Sequence, residues 1–159
     1  MEQITSLIQH LLTDSTRCPH LEGISFESSD TFKWHAQSKK ITYDPYAENA
    51  AAYLLHEYAH ALLGHSDYSH DITLIEMERA AWDQAVTLGE RYGTGIDFDI
   101  IESSLDTYRD WLHARSTCPT CDATGVQSAK SAYTCLSCHT TWRVNDARTC
   151  ALRRYPHKK

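Results

Sequence analysis

The chain reads as an α+β protein of 159 residues with a small cysteine-centred module at its C-terminal end. Three observations carry that reading. Apolar residues recur at helical spacing in four separate stretches. Between the first and second of these, Phe32, Trp34 and Ala36 alternate with polar residues, as do Ile41 and Tyr43, the pattern of a hairpin with one apolar face. Residues 116–150 hold two C-x-x-C pairs but few aliphatic side chains.

In order along the chain, Ile4, Leu7, Ile8, Leu11 and Leu12 predict an amphipathic helix over 3–13. Pro19 and Gly23 break a connector over 14–23, and Ile24 to Glu27 suits a short strand. The hairpin follows, turning at Gln37-Ser38-Lys39-Lys40. Asp44-Pro45 signals a helix start, which predicts a helix from about Tyr46 to Leu63 that stops at Gly64. A second long helix is expected from about Ile72 to Tyr92, before Gly93 and Gly95. A third is capped by Asp97 or Asp99 and carries Ile100, Ile101, Leu105, Tyr108, Trp111 and Leu112. This gives a first domain over 1–115, a small sheet packed on helices, and a second over 116–159.

Within the helix that begins near Tyr46 lies His56-Glu57-Tyr58-Ala59-His60. Residues four apart share a helix face, so both imidazoles can grip one cation while Glu57 projects beside them. Two neutral nitrogen ligands, an open coordination position and a carboxylate base are what a zinc hydrolase needs. A third protein ligand is then expected, and His65, His70, Asp71, Glu76 and Glu78 are in range. On a continued helix His65 would point away from the ligand face. Glu76 and Glu78 lie two apart and cannot both face one metal; Glu78, with Ala81 one turn on, is the choice, and Glu76, His65 and His70 stay open. Tyr58, Tyr68 and His70 are candidates for an oxyanion donor.

Cys118, Cys121, Cys135 and Cys138 have the spacing of two metal-binding knuckles, and four thiolates close a tetrahedral structural zinc site. A module so poor in aliphatics needs such a metal to hold it together. The chain therefore calls for two Zn²⁺ ions, one catalytic and one structural.

Charge is divided unevenly. Residues 1–113 hold 7 Lys/Arg against 19 Asp/Glu, a net of −12; residues 114–159 hold 8 against 2, a net of +6. Arg143, Arg148, Arg153, Arg154, Lys158 and Lys159 make the end basic, which suits contact with DNA or RNA phosphates. No run approaches the ~20 apolar residues of a membrane span. The start lacks the basic and apolar runs of a signal peptide, and the paired cysteines read as zinc ligands, so a cytoplasmic protein is expected.

His56-Glu57-x-x-His60 followed by Glu78-Arg79-Ala80-Ala81-Trp82 resembles the gluzincin metallopeptidases of the ImmA/IrrE type, over roughly residues 30–90. The resemblance implies a zincin-like fold, Glu78 as the third ligand, and cleavage of an intracellular protein partner. The domain order, an H-E-x-x-H domain before a zinc ribbon, is similar to the SprT family and its Spartan relatives, which digest proteins crosslinked to DNA; that family's third ligand is a histidine before a glycine, a context absent at His65 and His70. The expectation is a zinc metallopeptidase with Glu57 as general base and a ribbon that recruits a partner or nucleic acid. The alternative is a non-catalytic zinc adaptor that binds nucleic acid or protein. The sequence does not fix the oligomeric state.

Overall fold

The structure, a computed structural model, describes residues 2–157; Lys158 and Lys159 of the basic end lie outside the described residues. The order of elements is α1 (Glu2–Ser15), a 3-10 turn (Pro19–Leu21), β1 (Ser25–Ser28), β2 (Lys33–His35), β3 (Lys40–Tyr43), α2 (Ala50–Leu62), α3 (Asp71–Tyr92), α4 (Phe98–Ser116), and β4 (Val126–Ala129), β5 (Ala132–Thr134), β6 (Thr141–Val144) and β7 (Arg154–Pro156). The described residues form an α+β fold with four helices and two small sheets. Among the described residues no helix is long and apolar enough to cross a membrane.

The helix expected from Tyr46 begins four residues later. The Asp44 carboxylate accepts the Tyr46 N–H at 2.9 Å, and Asn49 sits in the left-handed region at φ 58°. A short acidic side chain that captures a nearby amide favours a turn over a helix, so Pro45 opens a turn here. The last helix starts as its sequence suggests: Asp97 Oδ1 accepts the Asp99 N–H at 3.0 Å. It runs on past Leu112 to Ser116.

The chain packs as two compact units. One comprises Met1–Asp67 with Met77–Ile101, the other Tyr68–Glu76 with Glu102–Lys159. The expected domain boundary at 115/116 falls in the last turn of α4, inside the second unit.

In the first unit β3 is central, parallel to β1 and antiparallel to β2. Ile41 of β3 is fully buried with Leu11, Leu54, Leu55 and Ala59. Nine of the 13 residues of α2 are buried, His56 and His60 among them. A helix apolar nearly all round belongs in an interior, and Ala50-Ala51-Ala52 and Leu54-Leu55 carry the imidazoles there with them.

In the second unit four antiparallel strands run in the order β4-β5-β6-β7. Their core is small: Cys118, Tyr133, Cys135, Trp142 and Val144, with the Tyr133 and Trp142 rings stacked at 5.6 Å. A Cβ at Gly125 would collide with the Trp142 ring, so only glycine fits. The unit also holds a buried ion pair that composition did not reveal. Arg115 donates from Nε to Asp71 Oδ2 at 2.6 Å and from Nη2 to Oδ1 at 3.2 Å. The Tyr133 hydroxyl and the Gln127 amide donate to the same carboxylate, and Arg115 Nη1 reaches the Asn145 and Asp146 carbonyls. Both charged residues are 2% exposed. Because every partner is satisfied, loss of one charge strands the other. Arg115→Ala should cost about 3–5 kcal/mol of stability, measured by urea unfolding of the zinc-loaded protein.

Candidate metal centres

Among the described residues two groups of side chains are placed so that each could hold a metal ion: His56, His60 and Glu78, all buried, and Cys118, Cys121, Cys135 and Cys138. Both are compatible with zinc.

The first group joins α2 to α3. His56 Nε2 lies 3.1 Å from Glu78 Oε2 and 3.1 Å from His60 Nε2, and His60 Nε2 lies 3.5 Å from Glu78 Oε1. A tetrahedral ion with ligands at 2.0–2.1 Å spaces its donor atoms by about 3.3 Å, so the three heads fit around one zinc. Burial alone would raise the Glu78 carboxyl, but hydrogen bonds from His56 and His60 hold it far below the usual carboxylate range. The carboxylate is thus charged and ready to ligate.

Of the two glutamates weighed as third ligand, Glu78 is 5% exposed and inside the group, whereas Glu76 is exposed and outside it. His70 is exposed and pairs with Ser69. Asp71 serves the buried ion pair of the second unit. Of the residues weighed as oxyanion donors, Tyr58 is buried with its hydroxyl given to the Leu11 carbonyl at 3.2 Å, and Tyr68 lies beneath the Lys130 ammonium.

The two imidazoles are held differently. The His56 ring stacks on Trp82, with centroids 4.2 Å apart and planes at 23°. Its Nδ1 is buried and has no hydrogen-bond partner among the described residues, so packing fixes that ring. His60 Nδ1 instead meets His65 Nδ1 at 2.9 Å. The chain reaches that position through the end of α2: Gly64 takes φ 67°, its N–H bonds the Ala61 carbonyl at 3.1 Å, and the His65 N–H bonds the His60 carbonyl at 3.0 Å. These are the two bonds of a Schellman turn, which folds the residue after glycine back over the last turn of the helix. His65 therefore points toward His60, where a continued helix would have carried it off. Burial, then the neighbouring His60, lowers the His65 pKa.

Glu57 stands outside the ligand group. Its Oε2 accepts the backbone N–H of Trp34, on edge strand β2, at 2.6 Å. Trp34 Nε1–H donates to the His65 carbonyl at 2.9 Å. One residue of β2 thus braces both the free carboxylate and the turn behind His60. A cleft of about 570 Å³ lined by Leu12, Cys18, Leu21 and Ile24, among others, shares no residue with this group.

In the second group Cys118 Sγ and Cys138 Sγ are 3.6 Å apart, as are Cys121 Sγ and Cys135 Sγ. A tetrahedral ion with Zn–S bonds of 2.3 Å sets its sulfurs about 3.8 Å apart. Each C-x-x-C forms the same turn. The amide two residues after Cys118 and the one three after Cys135 approach those sulfurs at 3.4 and 3.5 Å. Asp122 N–H bonds the Cys118 carbonyl and His139 N–H the Cys135 carbonyl, and both residues are left-handed, at φ 59° and 61°. His139 is exposed and outside the group, as is Cys150. The Thr140 hydroxyl, 3.2 Å from Cys138, holds that thiol below its ordinary range, which favours the thiolate a metal takes.

Of the basic residues, Arg154 donates to the Ala114 carbonyl at the end of α4, and Arg148 stacks over Tyr108. Arg143 and Arg153 are exposed.

Comparison of the chain with protein-family models, with curated proteins and with solved structures finds no match. Fold and sites define an α+β chain with two separate residue groups able to take a metal.

Two measurements check the sites. Zinc content per chain should be two, falling to one in both Glu78→Ala and Cys135→Ser, with only the latter unfolding the second unit. In chelator-treated protein the Glu78 carboxyl is depressed from its ordinary 4.5. Its stabilisation is therefore complete above about pH 4.5 and is lost as pH falls further, so Glu78→Gln should flatten the acid limb of a stability-versus-pH curve.

Proposed function

We propose that the chain is a zinc-dependent metallopeptidase of the minimal gluzincin kind, acting on an intracellular protein substrate, with a zinc ribbon that recruits a partner or nucleic acid. The observation that carries this is the division of labour in α2 and α3. His56, His60 and Glu78 converge as ligands, while the neighbouring Glu57 carboxylate is left outside their group. A carboxylate beside the ligands but outside their group is where a zinc hydrolase carries its general base.

His56, His60 and Glu78 would hold the catalytic ion, and the four cysteines a structural one. When bound, zinc supplies Lewis acidity to a water and to the scissile carbonyl. Glu57 takes the proton from the attacking water and passes it to the leaving amine nitrogen. The Trp34 N–H fixes the carboxylate's direction. Burial of the ligands keeps bulk water from screening these charges.

A second reading draws on the same bond. A carboxylate bonded to a sheet amide at 2.6 Å also suits a residue that ties β2 to α2, in a non-catalytic zinc adaptor. Contact with DNA or RNA under either reading would use Arg143, Arg148 and Arg153; the Arg154 guanidinium already serves the α4 carboxyl end. Salt-dependent binding to an oligonucleotide supports such contact, and no binding at low salt removes it.

Glu57→Gln separates the readings. It should keep two zincs per chain and the fold, yet slow cleavage of a fluorogenic peptide library about 10²–10⁴-fold. Cleavage at the wild-type rate excludes Glu57 as the base.

A further inference from the structure

We propose that His65 is a positioning residue: its neutral Nδ1 accepts the Nδ1–H of His60 and so fixes His60 in the one tautomer whose Nε2 lone pair faces His56 and Glu78. The proposal deepens the metal-site reading above and rests on it.

Three observations converge on it. The ring nitrogens are 2.9 Å apart, and the rings meet edge to face with centroids at 4.9 Å and planes at 65°. Two neutral imidazoles at that distance need a single shared proton, since two lone pairs would repel and two protons would clash. If His60 Nε2 ligates a cation it carries no proton, so the shared proton belongs to His60 Nδ1 and His65 accepts. His65 must then bear its own proton on Nε2.

The backbone holds this acceptor in place independently. The Schellman turn at Gly64 ties the His65 N–H to the His60 carbonyl, and Trp34 Nε1–H caps the His65 carbonyl at 2.9 Å. The residue is clamped at both its amide and its carbonyl, leaving side-chain rotation as its main freedom. The usual partner for a ligating imidazole is a carboxylate, a carbonyl or water. Here an imidazole takes that place. It supplies direction without adding negative charge near Glu78, whose carboxylate already stands 3.5 Å from His60 Nε2. His56 has no such partner and relies on the Trp82 ring, so the two ligands lose their orientation through different substitutions.

The test uses the full chain with Zn²⁺ as the probe, titrated against a chromophoric chelator. His65→Ala should weaken the histidine site 10–100-fold and leave the cysteine site unchanged. His65→Asn, whose Oδ1 can sit where Nδ1 was, should recover most of that loss. Trp34→Phe, which keeps the backbone N–H but removes the indole donor, should show a smaller loss of the same sign. Equal affinity in His65→Ala and wild type overturns the proposal, as does an Asn variant no better than Ala. Nitrogen-15 NMR of histidine-labelled, zinc-loaded wild type needs no substitution. His60 protonated at Nδ1 and His65 protonated at Nε2 is expected, and the opposite pattern at either ring overturns the assignment. Should wild type bind one zinc per chain, with that zinc lost in Cys135→Ser, the metal-site reading itself fails, an outcome distinct from a His65 that changes nothing.

Discussion

Three lone-pair donors buried together where α3 meets the apolar helix α2 make the constraint on which the first unit depends. His56, His60 and Glu78 are each less than a tenth exposed, and their heads lie 3.1–3.5 Å apart. Without a cation, the imidazoles can meet the carboxylate only by spending protons on it. With one, all three present lone pairs to a common point. The surroundings serve that geometry. Small residues Ala81 and Ala85 are fully buried in α3, and Trp82 beside them fills the space behind His56. The Schellman turn and Trp34 do the corresponding work behind His60.

The second unit meets a different difficulty. The cluster beneath its strands has five buried side chains, two of them cysteines, which is little apolar area to fix four strands by itself. Two devices make up the difference. One is the four-sulfur group. The other is the Asp71–Arg115 pair with Tyr133 and Gln127, which anchors β4 and β5 to helical residues far away in sequence. A buried ion pair often contributes little net stability over an apolar replacement. Its use here is specificity, since the fork of Arg115 and the two oxygens of Asp71 accept one arrangement.

What could be read from sequence follows the range of the interaction. The H-E-x-x-H face and the two knuckles were legible because their geometry is set within five residues by helix period or by a tight turn. Face counting on one helix shows that only one of Glu76 and Glu78 can join the imidazoles; it favours Glu78 and leaves Glu76 open. The later start of α2 was not foreseen, because a single Asp44–Tyr46 hydrogen bond outweighs the helix-start signal of Asp-Pro. A continued helix would point His65 away from the ligand face, but α2 ends at Leu62. The signal was nonetheless present: a glycine at Gly64 ends the helix in a motif that returns the next residue to the last turn. The Asp71–Arg115 pair spans 44 residues and leaves no local trace.

The knuckles are lopsided. In each, the first cysteine is sealed in the core and the second faces outward: Cys118 and Cys135 are fully buried, Cys121 is exposed and Cys138 half-buried. An electrophile or peroxide arriving from solvent therefore meets Cys121 first, with Cys138 next. With a metal bound all four sulfurs are thiolates and access decides, so damage would begin with the outermost sulfur and unclasp the module from its rim, while the buried pair stayed shielded until the clasp had opened.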